Sequence, residues 1–148
     1  MLIRVRFSKI GLLKFIGHLD VMRYFQKVLS RSGLPIKYTQ GFHPHQIMSF
    51  ASPLGVGITS DGEYMDFELE EDRSEEEINT ALQNSLTDGF LISKVTILNP
   101  RILNVKKVSA MALVDSADYF IYQKPGTMVS EKEKNMFEEA VSKLLALP

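Results

Sequence analysis

The chain opens with a strict alternation of apolar and polar residues. Ile3, Val5 and Phe7 occupy alternate positions, and the residues between them are polar. A period of two is typical of a β-strand with one buried face. The pattern therefore predicts a first strand over residues 2–8.

The next regular segment has the spacing of three and four residues that is typical of an amphipathic helix. It begins between Gly17 and Leu19 and ends at Arg31 or Ser32, where a Gly-Leu-Pro run stops it. Its predicted inward stripe consists of Leu19, Met22, Phe25 or Gln26, and Leu29.

A capping box indicates a second helix. Ser74 is followed three residues later by Glu77, and such a pair satisfies free N–H groups at a helix start. Gly89 ends this helix, and an apolar run predicts a last strand over residues 91–98. The predicted buried stripe consists of Ile78, Leu82 and Leu86.

Between the two helices, an Asp-Gly pair predicts a β-hairpin. Residues 56–59 and 64–70 have strand character and flank Ser60-Asp61-Gly62-Glu63, and Asp-Gly readily adopts the positive φ of a tight turn. The element order is then β-α-β-β-α-β. We predict an α+β fold in residues 1–100: a ferredoxin-like antiparallel sheet with both helices on one face.

The end of the chain predicts a further, incomplete unit. Residues 101–107 have the composition of a linker, and Tyr119-Phe120-Ile121-Tyr122 is typical of a strand. Ser130 and Glu133 form a second capping box at the start of a third helix. Residues 108–148 therefore supply a strand and a helix, half of a ferredoxin-like unit, which indicates a shortened chain or a tail docked on the first domain.

Composition excludes several classes of protein. The chain has no cysteine, so it forms no disulfide, thiolate metal site or iron–sulfur cluster. No apolar run approaches the roughly 20 residues that cross a bilayer, and the alternating N-terminus does not resemble a signal peptide. We expect a cytoplasmic protein that binds no membrane and no cofactor.

Charge is unevenly distributed, although the net charge is only −1. Residues 1–48 carry eight basic side chains and one acid, whereas residues 61–88 carry eleven acids and one base. Such asymmetry suits a basic face that binds phosphates or an acidic partner. Alternatively, the two parts neutralise each other, because the predicted topology sets Arg4 and Arg6 alongside Asp66 and Glu68 in the central strands.

All three histidines lie next to turn residues. His18 follows Gly17, and His43 and His45 flank Pro44. His18 and His45 could transfer protons, and three imidazoles could bind zinc. No nucleophile or carboxylate pair stands at a catalytic spacing, so the sequence favours a non-catalytic role.

Several motifs in fixed order resemble the radical-SAM-linked protein family. They are Arg4-Val5-Arg6-Phe7-Ser8-Lys9, Lys14-Phe15-Ile16-Gly17-His18-Leu19-Asp20, Gly33-Leu34-Pro35 and Tyr38-Thr39-Gln40-Gly41-Phe42-His43-Pro44-His45. This chain departs from the family pattern at His43, usually asparagine, and at Gln46, usually proline. The resemblance implies an accessory to a radical-SAM protein, linked to RNA or ribosome modification.

We therefore predict a non-catalytic accessory domain that binds RNA or another macromolecular substrate for a radical-SAM partner. An adaptor that binds protein alone, or an enzyme that uses His18 and His45, remains an alternative. Aromatic rings stack on unpaired bases, and cationic side chains contact phosphates. The predicted binding residues are Lys9, Lys14, His18, Asp20, Arg23, Lys27, Arg31, Tyr38, Gln40, Phe42 and His45. We expect them to converge on one outward-facing cationic pocket.

Overall fold

A computed structural model describes residues 1–98, 109–122, 126 and 128–145. Its strands are β1 (Leu2–Lys9), β2 (Met48–Phe50), β3 (Ser60–Glu68) and β4 (Phe90–Leu98). Its α-helices are α1 (His18–Arg31), α2 (Glu75–Gln83), α3 (Ala110–Leu113) and α4 (Glu131–Leu145), and a 3-10 helix spans Gly11–Phe15. The chain divides into two units, residues 1–116 and residues 117–148.

The four strands form one open, antiparallel sheet in the order β2-β3-β1-β4. The predicted central position of the first and third strands is therefore confirmed. Ile3, Val5 and Phe7 of β1 are buried in a single core that also receives the apolar faces of α1 and α2. Four phenylalanines from both layers contact one another at the centre of this core: Phe7, Phe25, Phe50 and Phe90.

The opposite face of the sheet carries a buried ion pair. Arg4 donates from Nε and a terminal nitrogen to the two carboxylate oxygens of Asp66, at 2.8 and 2.9 Å. The backbone N–H of Ala110 donates to the same carboxylate at 2.8 Å, so α3 lies against this face. Charge pairing across the central strands is confirmed for Arg4 and Asp66, and Glu68 binds Lys37 at 3.1 Å.

The predicted hairpin at Ser60-Asp61-Gly62-Glu63 is wrong. Strand β3 continues through these residues, with an irregularity where its register against β1 shifts between Phe7 and Lys9, and its partner β2 lies before a loop over residues 51–59. Gly62 has no positive φ there. A Cβ atom at Gly62 would lie 2.9 Å from the Arg6 guanidinium, so this glycine provides space for a cross-strand neighbour and makes no turn.

The buried face of α1 differs from the predicted stripe. Val21, Phe25, Val28 and Leu29 are buried, whereas Leu19 is exposed. Phe25 and Leu29 belong to both the predicted and the observed stripe, and Val21 and Val28 complete the buried face in place of Leu19. The α2 prediction is confirmed in its capping box, in which Ser74 and Glu77 bond reciprocally, and in buried Ile78 and Leu82. The two bonds from Ser74 lower the pKa of Glu77.

Two predictions for the end of the chain are also wrong. Tyr119–Tyr122 is irregular and not a strand, and the short helix α3 is a second helix in residues 108–148, where one was predicted. The capping box of α4 is confirmed, since Ser130 and Glu133 bond to each other. The predicted linker over 101–107 lies outside the described residues. No helix within the described ranges is long and apolar enough to span a membrane.

Candidate functional site

Three cations lie along the outer face of α1. Arg23, Lys27 and Arg31 are four residues apart and all exposed. Four residues of α-helix advance about 6 Å and rotate little more than one turn, so the three side chains form one row. We call this row the cationic ridge. Arg23 also approaches Asp20 at 3.3 Å, and Arg31 donates to the Ser85 carbonyl at 3.1 Å.

A two-stranded ribbon flanks this ridge. Residues 37–39 and 45–47 pair through N–H bonds from Thr39 to the His45 carbonyl and from Ile47 to the Lys37 carbonyl. A second pair of contacts closes the turn, because the Thr39 hydroxyl meets both the backbone N–H and Nδ1 of His45 at 3.1 Å. His45 is thereby held by the turn itself. We call residues 37–47 the turn ribbon.

Gln46 fixes the turn ribbon to α1. Its side chain is only 7% exposed, and its Nε2 donates to the Gln26 carbonyl at 3.1 Å and to the Ser30 hydroxyl at 2.9 Å. Gln26 and Ser30 lie beside the second half of the cationic ridge. The other amide atom, Oε1, is buried without a partner among the described residues. The base of the turn ribbon is bound to β3, through N–H bonds from Lys37 to the Glu68 carbonyl and from Glu68 to the Ile47 carbonyl, and Gln46 holds the ribbon against α1.

This attachment brings aromatic rings to the ridge. Tyr38 lies directly opposite Gln46 in the ribbon, and opposite residues of an antiparallel pair project to the same side. Tyr38 is therefore on the α1 side of the ribbon, and it is 41% exposed. Phe42, at the tip, is completely exposed, and Gln40 and His43 are exposed beside it. Cations and stacking surfaces adjoin along the second half of α1.

The remaining predicted site residues lie at the other end of α1. His18 is the first residue of the helix and meets the ring of Phe50 edge-on at 5.4 Å between centroids. His18 and Ser30 are separated by 12 residues of helix, which corresponds to about 18 Å. The structure therefore does not bring the two histidine segments together. Lys14, His18 and Asp20 form one group, and Tyr38, Gln40, Phe42 and His45 form another.

Lys9 does not reach the surface, contrary to the prediction that it contacts RNA. It is 1% exposed, and its ammonium donates to the Ile16 carbonyl at 2.9 Å. Burial lowers the pKa of Lys9, and the nearby Glu63 carboxylate partly opposes this shift. The residue is the last of β1, where the sheet meets the 3-10 helix, so its ammonium ties those two elements together.

The arrangement supports binding more than chemistry. An acid–base pair must reach one substrate, yet His18 and His45 flank different ends of α1. In the described ranges, no group of three metal-ligating side chains is close enough to hold an ion. Sequence reasoning missed Gln46 and Ser30 as site residues, since nothing in the local pattern distinguishes a buried glutamine that follows an exposed turn.

Comparison with known proteins gives one family. The family described as "Uncharacterized protein conserved in bacteria (DUF2344)" matches residues 2–148. No curated protein and no solved structure matches the chain.

Proposed function

The chain belongs to this bacterial family, whose description names no activity, and we propose that it is a non-catalytic protein that binds single-stranded RNA. The RNA lies along the second half of α1, between the cationic ridge and the turn ribbon. The observation that carries the proposal is the attachment of the turn ribbon to α1 through Gln46.

Two kinds of contact support this site. Phosphates of a flexible strand contact the three cations of the ridge, Arg23, Lys27 and Arg31, and such contacts position the strand without reading its sequence. Bases of a single strand are unpaired and stack on exposed rings, here Tyr38 and Phe42. A duplex keeps its bases inside, so it offers the phosphates but not the stacking surface.

Charge argues for α1 over the sheet as the RNA-binding face. The sheet's helix-free face contains Asp66, whose carboxylate is already bound by Arg4 and by the backbone of α3. Asp66 and Glu68 hold Arg4 and Lys37 in ion pairs, so these two cations are less available to phosphate than those of the ridge. The cationic ridge carries no acid between Arg23 and Arg31.

The proposal is tested with fluorescein-labelled oligouridylate and fluorescence anisotropy. We expect Phe42→Ala and Tyr38→Ala each to weaken binding by about 1–3 kcal/mol, the usual value of one base stacked on an aromatic ring. The matched control is Phe15→Ala, which removes an equally aromatic, exposed side chain beyond the other end of α1. No measurable binding by the wild-type protein, or equal losses in all three variants, would refute the proposal.

We also propose a partner protein, a cellular location and a fold family for the chain. The sequence resemblance implies that the RNA or another macromolecular substrate is held for a radical-SAM partner in the cytoplasm. The element order and central β1 and β3 support a ferredoxin-like fold. Co-purification of a radical-SAM protein with the tagged chain from native cells, after nuclease treatment, tests the partnership directly.

A further inference from the structure

An exposed apolar surface lies at the start of α1, away from the proposed RNA site. It consists of Leu12, Phe15, Leu19 and Val56, which are each between 62% and 82% exposed. We call these four residues the apolar patch. Exposed apolar residues that lie singly need no explanation, whereas a cluster of large ones marks an interaction site.

The four residues are neighbours in the fold. Leu12 and Phe15 are three apart in a 3-10 helix, in which such residues lie on the same side. The loop that carries Val56 adjoins this segment, because the Gly57 N–H donates to the Lys14 carbonyl at 2.6 Å. A Cβ atom at Gly17 would lie 3.7 Å from Val56, which places Val56 beside the start of α1, and Leu19 is an exposed residue of the first turn of that helix.

The backbone beneath the apolar patch is held from several sides. Lys9 donates to the Ile16 carbonyl, and the Ile10 N–H donates to the Gly89 carbonyl at 2.9 Å. Leu13 packs inward against the core and against Gly89. A surface that is already ordered loses little conformational entropy when a partner binds. The apolar side chains are therefore presented in a fixed arrangement.

The border of the apolar patch is positively charged. The ammonium of Lys14 lies over the Phe15 ring at 5.1 Å from its centroid. Gly17, the N-cap of α1, offers no side-chain acceptor to the first N–H groups of the helix, and these groups carry partial positive charge. Asp20, the acid in the first turn, is shared with Arg23. An occupant with carboxylates around an apolar surface complements this border.

We propose that the apolar patch docks a protein partner through an amphipathic segment with apolar residues on one face and acidic residues around it. Nucleic acid fits less well. Three of the four patch residues are aliphatic and give no ring for a base to stack on, and Lys14 is the one cation described beside the patch for a phosphate to contact. A second copy of the chain also fits less well, since a two-fold contact would set the same positive border against itself. This partner site lies at the start of α1, whereas Gln46 holds the turn ribbon against Gln26 and Ser30 in the second half of the helix.

Two synthetic helical peptides of equal length test the proposal. Both carry leucine at the same helical spacing, and the remaining positions are glutamate and glutamine in one and lysine and glutamine in the other. We expect fluorescence anisotropy to show binding of the acidic peptide alone. The double variant Leu12→Ser, Phe15→Ser should weaken that binding at least about tenfold, as for truncation of central interface side chains.

The matched control is Phe42→Ser, which removes an exposed ring from the turn ribbon and should leave peptide binding unchanged. All three substitutions are at exposed sites, and circular dichroism checks that the variants remain folded. Equal binding of both peptides, binding of neither, or loss of binding in Phe42→Ser overturns the proposal. So does a wild-type dimer in sedimentation that the Leu12→Ser, Phe15→Ser variant abolishes, because the occupant is then a second copy.

Discussion

The salt dependence of RNA binding measures how many cations the site uses. For a single strand, the logarithm of the binding constant falls with the logarithm of salt concentration by about 0.7 for each phosphate neutralised. The cationic ridge supplies three cations, Arg23, Lys27 and Arg31. We therefore expect a slope of about −2.1, which weakens binding about 18-fold over a fourfold rise in salt concentration.

Removing one cation gives a defined change. Lys27→Gln keeps most of the side chain and should reduce the slope to about −1.4, or about sevenfold over the same range. The matched control is Lys94→Gln, because Lys94 is exposed on β4 opposite Arg6, on the face of the sheet away from α1. Anisotropy titrations at several salt concentrations give both slopes. The reasoning fails if Lys27→Gln retains the wild-type slope, or if Lys94→Gln lowers it equally.

Three further substitutions test the fold that positions the site. Asp66→Ala removes a buried carboxylate that binds the partly buried guanidinium of Arg4 and the Ala110 N–H, and should lower the free energy of unfolding by about 1–3 kcal/mol in urea titrations; an unchanged free energy of unfolding contradicts this reasoning. Because burial lowers the pKa of Lys9, this ammonium loses its proton at a lower pH in the folded protein than in the unfolded chain. Wild-type stability relative to Lys9→Met should therefore rise from neutral pH towards 10.5, and a pH-independent difference would contradict the shift. Gly89→Ala combines a φ of +98° with a Cβ only 2.7 Å from Leu13, so thermal unfolding should show a loss of about 1–3 kcal/mol, and an unchanged melting temperature is the contrary result.

The elements that the sequence predicted well are those whose own side chains determine them. β1 alternates because one face meets a core, and α2 starts at a capping box that uses only Ser74 and Glu77. The limits of α1 were also predicted within a residue, since a Gly precedes it and a Gly-Leu-Pro run follows it. Each of these signals is complete within about ten residues of chain, so tertiary contacts need not be known.

Features that depend on distant partners were missed. Gly62 is explained by Arg6, which is 56 positions away in the chain, and the local Asp-Gly pair pointed to a turn instead. Leu19 has the spacing of a core residue, yet it is 64% exposed, and Val21 faces the core in its place. The predicted binding residues lie in two groups and not in one pocket for the same reason. Gln46, which holds the turn ribbon against α1, bonds to a helix that begins 28 residues earlier in the chain.

The basic residues that are in excess in residues 1–48 are of two kinds in the structure. Arg4 and Lys37 bind acids of β3, and Lys9 binds a carbonyl, so these cations are engaged within the fold, although the Lys37 side chain is 46% exposed. The cationic ridge is different, because its exposed side chains keep most of their solvent contact and exposed ion pairs such as Arg23 with Asp20 contribute at most about 1 kcal/mol. An incoming phosphate displaces such a pair at little cost. The basic excess that is available for binding therefore lies on α1, next to the turn ribbon that Gln46 attaches to it.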